Sequence, residues 1–520
     1  MKKIATALLS CALAAATLAG CAANAAQVPQ ESQEPHTAAL TATAAASVKS
    51  PKYVFLFIGD GMSYPQIQST SDYLGALKDA DYWQAQPSLD DNQGAILDGP
   101  EYLNFMNFEA AGSAVTYDSN PFAPDSASTA TSISTGHKTY SGSINVDETG
   151  TIEYETIAEQ LKAQKGWEIG VITSVNLNHA TPAAFYAHQA SRSSYYEIGL
   201  ELVESGFDYF AGGGLLKPTG SSGDQTDLYE LAQEAGYTVA KTHAEADAIG
   251  TNTEKAIIID EDLADSDAMA YELDRTDDMW ALADYVAKGI EVLDNDTGFF
   301  MMCEGGKIDW ACHANDAASS IHDTQALADA VQVAIDFAKE HADETLILVT
   351  GDHETGGLTI GFAGTDYDTY LDLLENQKIS FAKYDSDYVA SYKANKTPFG
   401  TVLADIEKLF GLKAQGEEGD KLVLTAYEME QLRAAYEKSI NGTASSQYDQ
   451  AEYVLYGTYE PLSVTITHII NNKSGISFTS YSHTGLPVAV LAEGAGSEMF
   501  NGYYDNTDIY NKLADLLNIA

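Results

Sequence analysis

Short apolar segments alternate with longer amphipathic segments along most of the chain. The apolar segments are rich in Val, Ile and Phe and end in polar residues or glycine, which is typical of buried strands. The clearest of them are residues 53–58, 168–173, 299–302, 345–349 and 488–491. Helical patterns occupy residues 154–164, 277–293, 314–340 and 507–517. This alternation predicts an α/β fold with a doubly wound, mostly parallel central sheet and helices on both faces.

Residues with metal-binding side chains follow several of the predicted strands. Asp60 follows the strand at 53–58, Glu304 follows the strand at 299–302, and the pair 352–353 (Asp-His) follows the strand at 345–349. In open α/β sheets, ligands bind at the carboxyl ends of the strands, where loops present side chains above a rigid platform. The sequence therefore predicts a functional site at this edge of the sheet.

The segment 361–465 interrupts the alternation of strands and helices. It is rich in Tyr, Asp, Lys and Gly and contains scattered helical patterns, such as residues 425–438. We interpret it as a large insertion in one catalytic domain that spans residues 51–520. No internal repeat of about 20–50 residues is evident, which argues against a solenoid or a propeller.

The N-terminus has the pattern of an export signal. Lys2 and Lys3 precede an apolar stretch at 4–18, and the string Leu-Ala-Gly-Cys at 18–21 resembles the bacterial lipobox. We expect residues 1–20 to be a lipoprotein signal peptide. Acylated Cys21 would then attach the protein to a membrane surface, with the Ala, Thr and Ser-rich residues 21–50 as a tether. This predicts an exported periplasmic or cell-surface lipoprotein. Plain secretion after cleavage at 24–26 (Asn-Ala-Ala) is the alternative.

The chain is strongly acidic and poor in cysteine. It has 76 acidic and 27 basic residues, a formal net charge of −49, which disfavours nucleic acids and other polyanions as partners. A site for any anionic substrate must consequently be locally cationic, and bound metals would supply that charge. Outside the signal, the cysteines are Cys303 and Cys312. We favour two buried thiols, although a disulfide between them is the alternative.

Three short motifs contain the Asp, Glu and His side chains expected in zinc sites. Residues 304–313 place Asp309 and His313 four positions apart, on one helical face. Residues 350–357 place an adjacent Asp and His on a turn, and residues 482–487 contain His483 just before a strand. Taken singly, each motif is weak. An Asp that caps a helix or turn beside a surface His gives the first two patterns, and a lone His, as in the third, has little weight.

A fourth motif places a serine where a helix begins. Residues 124–131 are small and open a helical stretch that ends near Gly136. A serine at a helix N-terminus lies in positive potential, and the nearby backbone N–H groups can bind phosphate oxygens. Ser126 is therefore a candidate nucleophile. The simpler interpretation is that Ser126 only caps the helix.

Together, the four motifs resemble the alkaline phosphatase family over nearly the whole of residues 53–520. The string Asp-Ser-Ala-Ser-Thr-Ala-Thr at 125–131 is similar to that family's nucleophile signature at every position. The chain resembles the branch that carries His179 and Trp310, which includes marine bacterial and animal enzymes. The resemblance implies an enzyme that hydrolyses small phosphate monoesters to an alcohol and inorganic phosphate.

The resemblance also implies roles for individual residues. Ser126 would become transiently phosphorylated, and Arg192 would bind two phosphate oxygens through its planar guanidinium group. The implied cofactors are two zinc ions and one magnesium ion. Their implied ligands are Asp309, His313 and His483 for one zinc, Asp60, Asp352 and His353 for the other, and Asp60, Thr181 and Glu304 for magnesium. Asp125, His179 and Trp310 would lie beside these groups, and His179 would contact magnesium through water.

The resemblance further implies that residues 361–465 form a crown like the one that some family members use at a dimer interface, so we expect a homodimer. Two other functions stay open. A related phosphodiesterase or sulfatase-like hydrolase could use the same metal platform. A surface lipoprotein could also bind phosphate or metal without turnover. Arg192 and the third metal site favour monoesters, because a diester offers one fewer free oxygen.

Overall fold

A ten-stranded sheet forms the centre of the protein. A computed structural model describes residues 50–79, 82–85, 96–442 and 444–519. The predicted signal peptide at 1–20 and residues 21–49 of the predicted tether lie outside the described residues. The strands are β1 (Tyr53–Gly59), β2 (Ala110–Val115), β3 (Glu168–Asn176), β4 (Tyr209–Gly213), β5 (Thr238–Ala240), β6 (Ala256–Ile259), β7 (Phe299–Gly305), β8 (Thr345–Gly351), β9 (Glu354–Thr355), β10 (Thr359–Ile360), β11 (Ile476–Ser477), β12 (His483–Thr484), β13 (Val488–Gly494) and β14 (Gly502–Asp505).

The strand directions make this a mostly parallel sheet. Its order is β14-β2-β13-β8-β1-β7-β3-β4-β6-β5, while β10 pairs with β11 and β9 with β12 in two small separate sheets. Strand β1 pairs in parallel with both β7 and β8. Strand β13 is antiparallel to β8 and β2, and the other pairings described within this sheet are parallel. The predicted fold class is therefore confirmed, and the strand predicted at 488–491 runs opposite to its neighbours.

The helices match the predicted alternation. They are α1 (Tyr64–Lys78), α2 (Tyr82–Ala85), α3 (Ser126–Thr135), α4 (Ile157–Lys165), α5 (Ala180–Ala183), α6 (Tyr195–Ser205), α7 (Leu228–Glu234), α8 (His243–Asp247), α9 (Leu282–Leu293), α10 (Lys307–His313), α11 (Ala317–Glu340), α12 (Phe381–Tyr384), α13 (Ala390–Asn395), α14 (Phe399–Phe410), α15 (Ala426–Asn441), α16 (Gln450–Tyr456), α17 (Pro461–Ser474) and α18 (Thr507–Leu517). The helices predicted at 154–164, 277–293, 314–340 and 507–517 correspond to α4, α9, α11 and α18. No helix in the described part of the chain combines the length and apolar character needed to cross a membrane.

Capping side chains explain where two helices begin later than predicted. The carboxylate of Asp284 accepts a hydrogen bond from the Ala281 N–H at 2.8 Å, which starts α9 at Leu282. The carboxylate of Asp316 accepts one from the Ser319 N–H at 3.1 Å, which starts α11 at Ala317. Both bonds satisfy N–H groups that have no partner within the helix.

The two faces of the sheet are covered by separate hydrophobic cores. Successive side chains of a strand point to opposite faces. Leu56 packs in the core that includes residues of α3, α4 and α18, whereas Phe55 and Phe57 pack in the core that includes residues of α9 and α11. Cys303 and Cys312 are both free and buried, which confirms the prediction of two buried thiols.

The predicted insertion contains a helical layer with its own core. Helices α12 to α17 fall within or overlap residues 361–465, and α17 continues beyond the predicted boundary to Ser474. Its core includes Val402, Ile406, Leu432 and Ile466, and it also takes in Ile321 of α11. The helical layer is thereby joined to the main domain by apolar packing. Its role as a crown stays a prediction.

A half-buried histidine in this layer predicts how stability changes with pH. The ring nitrogen Nε2 of His468 lies 3.0 Å from Asn315 Oδ1, and burial lowers the pKa of His468 to about 4. An unfolded chain binds this proton near pH 6.5, so the stabilisation is complete above that pH and is lost as the pH falls toward 4. The loss is up to about 3 kcal/mol.

The prediction is tested on chelator-treated protein, because acidification then releases no metal that would itself change the stability. The thermal midpoint of wild type should fall more steeply between pH 7 and 4.5 than that of His468→Gln, which has no proton to gain. His137→Gln, at an exposed position, should behave like wild type. Parallel curves for all three proteins would contradict the assignment.

Candidate active site

The predicted site residues meet at one edge of the central sheet. Asp60 follows β1, Glu304 is the penultimate residue of β7, and the pair 352–353 follows β8. These parallel strands are neighbours, so their carboxyl ends lie side by side. His483 lies on the N-terminal side of β13, and because β13 is antiparallel, its beginning lies at this same edge. The motif that precedes β13 therefore lies at the same edge of the sheet as the motifs at the ends of β1, β7 and β8.

Ser126 is the first residue of α3, and its side chain points toward the metal-binding motifs. Asp125 is the N-cap, because its Oδ1 accepts from the Ser128 N–H at 3.1 Å. The interpretation of Ser126 as a mere cap is therefore wrong. Its Oγ lies 3.1 Å from His353 Nε2 and 3.5 Å from Asp60 Oδ1, in a buried position. Neutral imidazole and carboxylate at these distances can accept the hydroxyl proton.

The first candidate metal group consists of Asp309, His313 and His483. The two Nε2 atoms are 3.0 Å apart, His313 Nε2 lies 3.4 Å from Asp309 Oδ2, and His483 Nε2 lies 3.6 Å from Asp309 Oδ1. Asp309 and His313 are on α10, on one face as their spacing predicts. One carboxylate and two imidazoles that converge in this way match the donor set of a zinc site with an open position.

Backbone carbonyl groups orient both imidazoles. Nδ1 of His313 lies 2.6 Å from the Tyr481 carbonyl oxygen, and Nδ1 of His483 lies 2.6 Å from the Pro124 carbonyl oxygen. Each Nδ1–H can donate to its carbonyl, which leaves the Nε2 lone pair directed at the group centre. Such partners fix the tautomer and raise the basicity of metal-binding histidines.

The second candidate metal group consists of Asp60, Asp352 and His353, all buried. Nε2 of His353 lies 3.3 Å from Asp60 Oδ1 and 3.4 Å from Asp352 Oδ2. Asp352 is fixed by two donors, the Gly61 N–H at 3.1 Å and the Thr129 hydroxyl at 3.0 Å. Since Thr129 lies one helical turn after Ser126, this bond ties α3 to the second candidate metal group.

Crowded negative charge distinguishes the site from an ordinary buried cluster. Burial raises the pKa of Asp352 to about 7, and repulsion by Asp309 and Glu304 acts in the same direction. Burial also raises the pKa of Glu304 to about 7, and it raises the pKa of Asp60 well above its usual range. Nearby cations would stabilise the ionised forms of all these carboxylates. The protein itself supplies few cationic groups here, so the arrangement fits bound metal ions.

A third group of oxygen atoms has no internal partner. Asp60 Oδ2, Thr181 Oγ1 and Glu304 Oε1 are buried without a hydrogen bond within the described structure. The other oxygen of Glu304 accepts from the Thr173 hydroxyl. Buried polar atoms are nearly always satisfied, so three orphan oxygens beside the second metal group fit an additional cation. A set of oxygen donors suits magnesium.

Arg192 lies beside the serine and is held by the helix cap. Its Nη1 donates to Asp125 Oδ2 at 2.9 Å, and its Nη2 lies 3.5 Å from His179 Nε2. The other oxygen of Asp125 caps α3, so one carboxylate positions both the serine helix and the guanidinium group. Burial, with the adjacent charge of Arg192, lowers the pKa of His179 to about 3, so this imidazole is neutral. Trp310 contacts His179 edge to face, with ring centroids 5.9 Å apart.

The sequence motifs did not single out several residues that support the site. Thr355 donates to Asp309 Oδ1 at 2.5 Å and lies 3.3 Å from His353 Nδ1, so it contacts both metal groups. It belongs to the motif at 350–357 and lies two positions after His353, and this spacing is the signal that could have identified it. Thr129 and Thr173 carried no such signal, because buried threonines are common in helices and strands.

An open cleft gives access to these groups. Its volume is 420 Å³, and it is lined by Ser126, His179, Arg192, Asp265, Ser266, Tyr271, Asp309, Trp310, His313, Phe381, Tyr459 and His483. Another group that could hold an ion, at His243, Asp260 and Asp262, contributes no lining residue to this cleft.

A doubly wound sheet that presents two carboxylate–imidazole groups and a serine hydroxyl at its carboxyl edge defines an α/β metalloenzyme with a hydrolytic type of site. Comparisons with known proteins make this class specific. The family model described as "Alkaline phosphatase" matches residues 51–519. Alkaline phosphatase 4 of Bacillus subtilis (strain 168) is 30% identical over 473 residues, which cover 89% of this chain and 88% of that protein.

Solved structures give the same result. A cold-active alkaline phosphatase from the psychrophile Shewanella sp. has a TM-score of 0.68 at 28% identity, covering 89% of this chain and 99% of that one. The enzyme from the Antarctic bacterium TAB5 has a TM-score of 0.59 at 25% identity, covering 91% and 99%. The chain therefore belongs to the alkaline phosphatase family, and its activity is that of an alkaline phosphatase. The alternative of a binding protein without turnover is wrong.

Proposed function

We infer that the protein hydrolyses phosphate monoesters through a phosphoserine intermediate on Ser126. The observation that carries this proposal is the position of Ser126 Oγ, which lies at the N-terminus of α3 and 3.1 Å from His353 Nε2. A hydroxyl that is buried beside a metal group, with Arg192 next to its helix, has the surroundings of an activated nucleophile.

We also propose that the site holds two zinc ions and one magnesium ion. The groups Asp309, His313, His483 and Asp60, Asp352, His353 offer the nitrogen and oxygen donors that zinc prefers. Asp60, Thr181 and Glu304 offer oxygen donors suited to magnesium. A His-to-Glu variant of the TAB5 enzyme has been solved with Mg bound in its M3 site. When bound, such ions lower the pKa of nearby hydroxyls and neutralise charge on phosphoryl and leaving oxygens.

The residues of the chain then perform defined steps. The Oγ of Ser126 forms a bond to phosphorus while the bond to the alcohol oxygen breaks and its electron pair leaves with that oxygen, and the proton lost by Ser126 passes through water to the departing alcohol oxygen. Two N–H groups of Arg192 hold phosphoryl oxygens, and the α3 N-terminus adds positive potential. Attack of water on phosphorus then breaks the bond to Ser126 Oγ and releases inorganic phosphate. The departing serine oxygen takes one proton from the attacking water.

Replacing Arg192 with lysine should weaken phosphate binding strongly. Lysine keeps the charge, but it cannot form the two parallel hydrogen bonds, and it cannot match the contact with Asp125. We expect kcat/KM to fall by roughly 10- to 100-fold, mainly through a higher KM and weaker inhibition by inorganic phosphate. Arg433→Lys, at a site on the helical layer, is the matched control. An unchanged KM in the Arg192 variant would exclude this role.

The preference for monoesters is tested against the other esters that a similar platform accepts. The measurement compares initial rates with p-nitrophenyl phosphate, bis-p-nitrophenyl phosphate and p-nitrophenyl sulfate. All three substrates have the same leaving group, so one readout serves for all of them. We expect the phosphate monoester to have the highest kcat/KM by at least about 100-fold. A diester offers one fewer free oxygen to Arg192 and the third ion, and a sulfate monoester carries one negative charge where a phosphate monoester carries two. Comparable values for the diester or the sulfate would favour the alternative hydrolase.

We propose that the protein is exported and attached to a membrane surface through lipidated Cys21. The string Leu-Ala-Gly-Cys at 18–21, after a charged start and an apolar stretch, supports this localisation. Mass spectrometry of the mature N-terminus should find acylated Cys21 at its first position, and Cys21→Ala should release activity into the soluble fraction. An N-terminus that begins after residue 26 would instead support plain secretion.

We further propose a homodimer, which the family resemblance implies. A largely apolar groove of 550 Å³, lined by residues that include Tyr64, Ile67, Met106, Leu358 and Leu491, is consistent with a surface that a second copy covers. Tyr64 is 45% exposed, so a charge there would disturb an interface and leave the fold intact. Sedimentation should show a dimer for wild type and a monomer for Tyr64→Glu. A monomeric wild type would contradict the proposal.

A further inference from the structure

The cleft above Ser126 has a second wall, which the metal groups and Arg192 do not form. This wall consists of Asp265, Ser266, Tyr271, Trp310, Phe381 and Tyr459. Four of these six side chains are aromatic. Phe381 and Tyr459 come from the helical layer, whereas Tyr271 and Trp310 belong to the main domain. The layer therefore completes the cleft in which the alcohol part of an ester must lie.

Three of the rings form a continuous row. Tyr271 and Phe381 contact each other edge to face with centroids 5.7 Å apart, and Phe381 and Tyr459 do the same at 5.8 Å. This is the geometry that aromatic rings prefer among themselves. A planar ring of a substrate that enters the cleft can make the same kind of edge-to-face contact with these side chains. A small aliphatic group would fill the same space with fewer favourable contacts.

A buried cation holds the main-domain side of the wall. Nζ of Lys307 lies 4.1 Å from the ring centroid of Tyr271 and 4.6 Å from that of Trp310. It also forms an ion pair with Asp265 at 2.6 Å, and the lysine side chain is completely buried. The cation fixes two rings and offsets the negative charge of Asp265. The wall is consequently rigid and does not repel an anionic ester through that carboxylate.

Hydrogen bonds also fix the side of the wall that comes from the helical layer. The Phe381 N–H donates to Asp316 Oδ2 at 2.9 Å, and the Ser380 N–H donates to Asp274 Oδ1 at 2.9 Å. Both carboxylates belong to the main domain, so the backbone that carries Phe381 is anchored to that domain. A ligand that binds to an ordered surface loses less free energy to ordering that surface.

We propose that this aromatic wall selects monoesters whose leaving alcohol carries a planar aromatic ring. The inference rests on the proposed function, because the phosphoryl group must lie at Ser126 for the alcohol to extend toward the wall. Phe381 and Tyr459 are then the specificity residues, and the chemical class includes arylmethyl phosphates and nucleoside monophosphates.

Benzyl phosphate and cyclohexylmethyl phosphate test the proposal, because the two alcohols are similar in size and acidity and only one is aromatic. We expect kcat/KM of the wild-type enzyme to favour the benzyl ester by about three- to tenfold. Inhibition constants of benzylphosphonate and cyclohexylmethylphosphonate should show the same ratio, and they measure binding without turnover. The double variant Phe381→Leu, Tyr459→Leu should bring both ratios close to one.

The control is Tyr427→Leu, which removes an exposed ring of the same helical layer outside the cleft and should leave both ratios at the wild-type value. A wild-type enzyme that hydrolyses both esters with equal kcat/KM would overturn the aromatic wall while the proposed function stands. Ratios that survive in the double variant would also overturn it. Hydrolysis of neither ester by wild type would instead contradict the proposed function.

Discussion

Replacing Ser126 with alanine is expected to lower kcat for phosphate monoesters by about 10⁴-fold or more, a loss typical of a missing nucleophile. The substitution removes the one hydroxyl that lies between Asp60 Oδ1 and His353 Nε2 in the described site. It leaves the helix intact, because Asp125 and not Ser126 caps α3. Steady-state rates and the metal content of the variant are the measurements.

Two further results make this test specific. Acid quenching of wild type during turnover of a ³²P-labelled monoester should trap labelled phosphoserine in the protein, whereas Ser126→Ala should trap none. Ser132→Ala is the matched control, because Ser132 is also buried in α3 and its hydroxyl donates only to the Ser128 carbonyl oxygen at 3.0 Å. If Ser126→Ala kept its activity within tenfold of this control, Ser126 would not be the nucleophile.

Removing the metal ions is the second change with a large expected effect. A chelator should abolish detectable turnover and lower the thermal midpoint by at least several degrees. Activity is lost because Arg192 and the α3 N-terminus alone do not offset the charge on the leaving oxygen and the phosphoryl group. Stability is lost because Asp60, Glu304 and Asp352 are buried close together, and cations that bind the folded state stabilise it by mass action, by about 4 kcal/mol at a thousandfold excess over Kd.

Metal analysis and add-back measure this prediction. The purified protein should contain two zinc ions and one magnesium ion per chain, and zinc with magnesium should restore activity and the thermal midpoint together. Asp309→Asn should lose one zinc, because Asp309 supplies the carboxylate of only one group. Calcium alone is the control that should fail to restore turnover. A metal-free protein with full activity would exclude the proposed chemistry.

Most of the architecture could be predicted from the sequence because its causes are local. The five strongest strand segments and the four helical segments each carry a periodicity that the fold preserves, and the α/β class follows from their alternation. The exact starts of α9 and α11 could not be predicted, since single carboxylates decide them. The direction of β13 could not be predicted from local patterns either, because this strand pairs with segments that are distant in the chain.

The candidate site was predicted in part for a similar reason. Motifs such as the adjacent Asp and His at 352–353 are weak singly, but the four motifs together resemble one family, and this combination made the site recognisable. Arg192 was identified only through the family resemblance, because a single arginine has no local signature. Its place beside Asp125 depends on tertiary packing. The aromatic wall was not predicted at all, since Phe381 and Tyr459 lie in a segment where aromatic residues are numerous.

The antiparallel strand β13 determines when a newly made chain can first become active. β13 inserts between β8 and β2, and the ring of His483 just before it hydrogen-bonds to a carbonyl 359 positions earlier. A nascent chain cannot complete either contact until nearly its whole length has left the ribosome. Unfinished chains therefore lack one of the two imidazoles of the first candidate metal group.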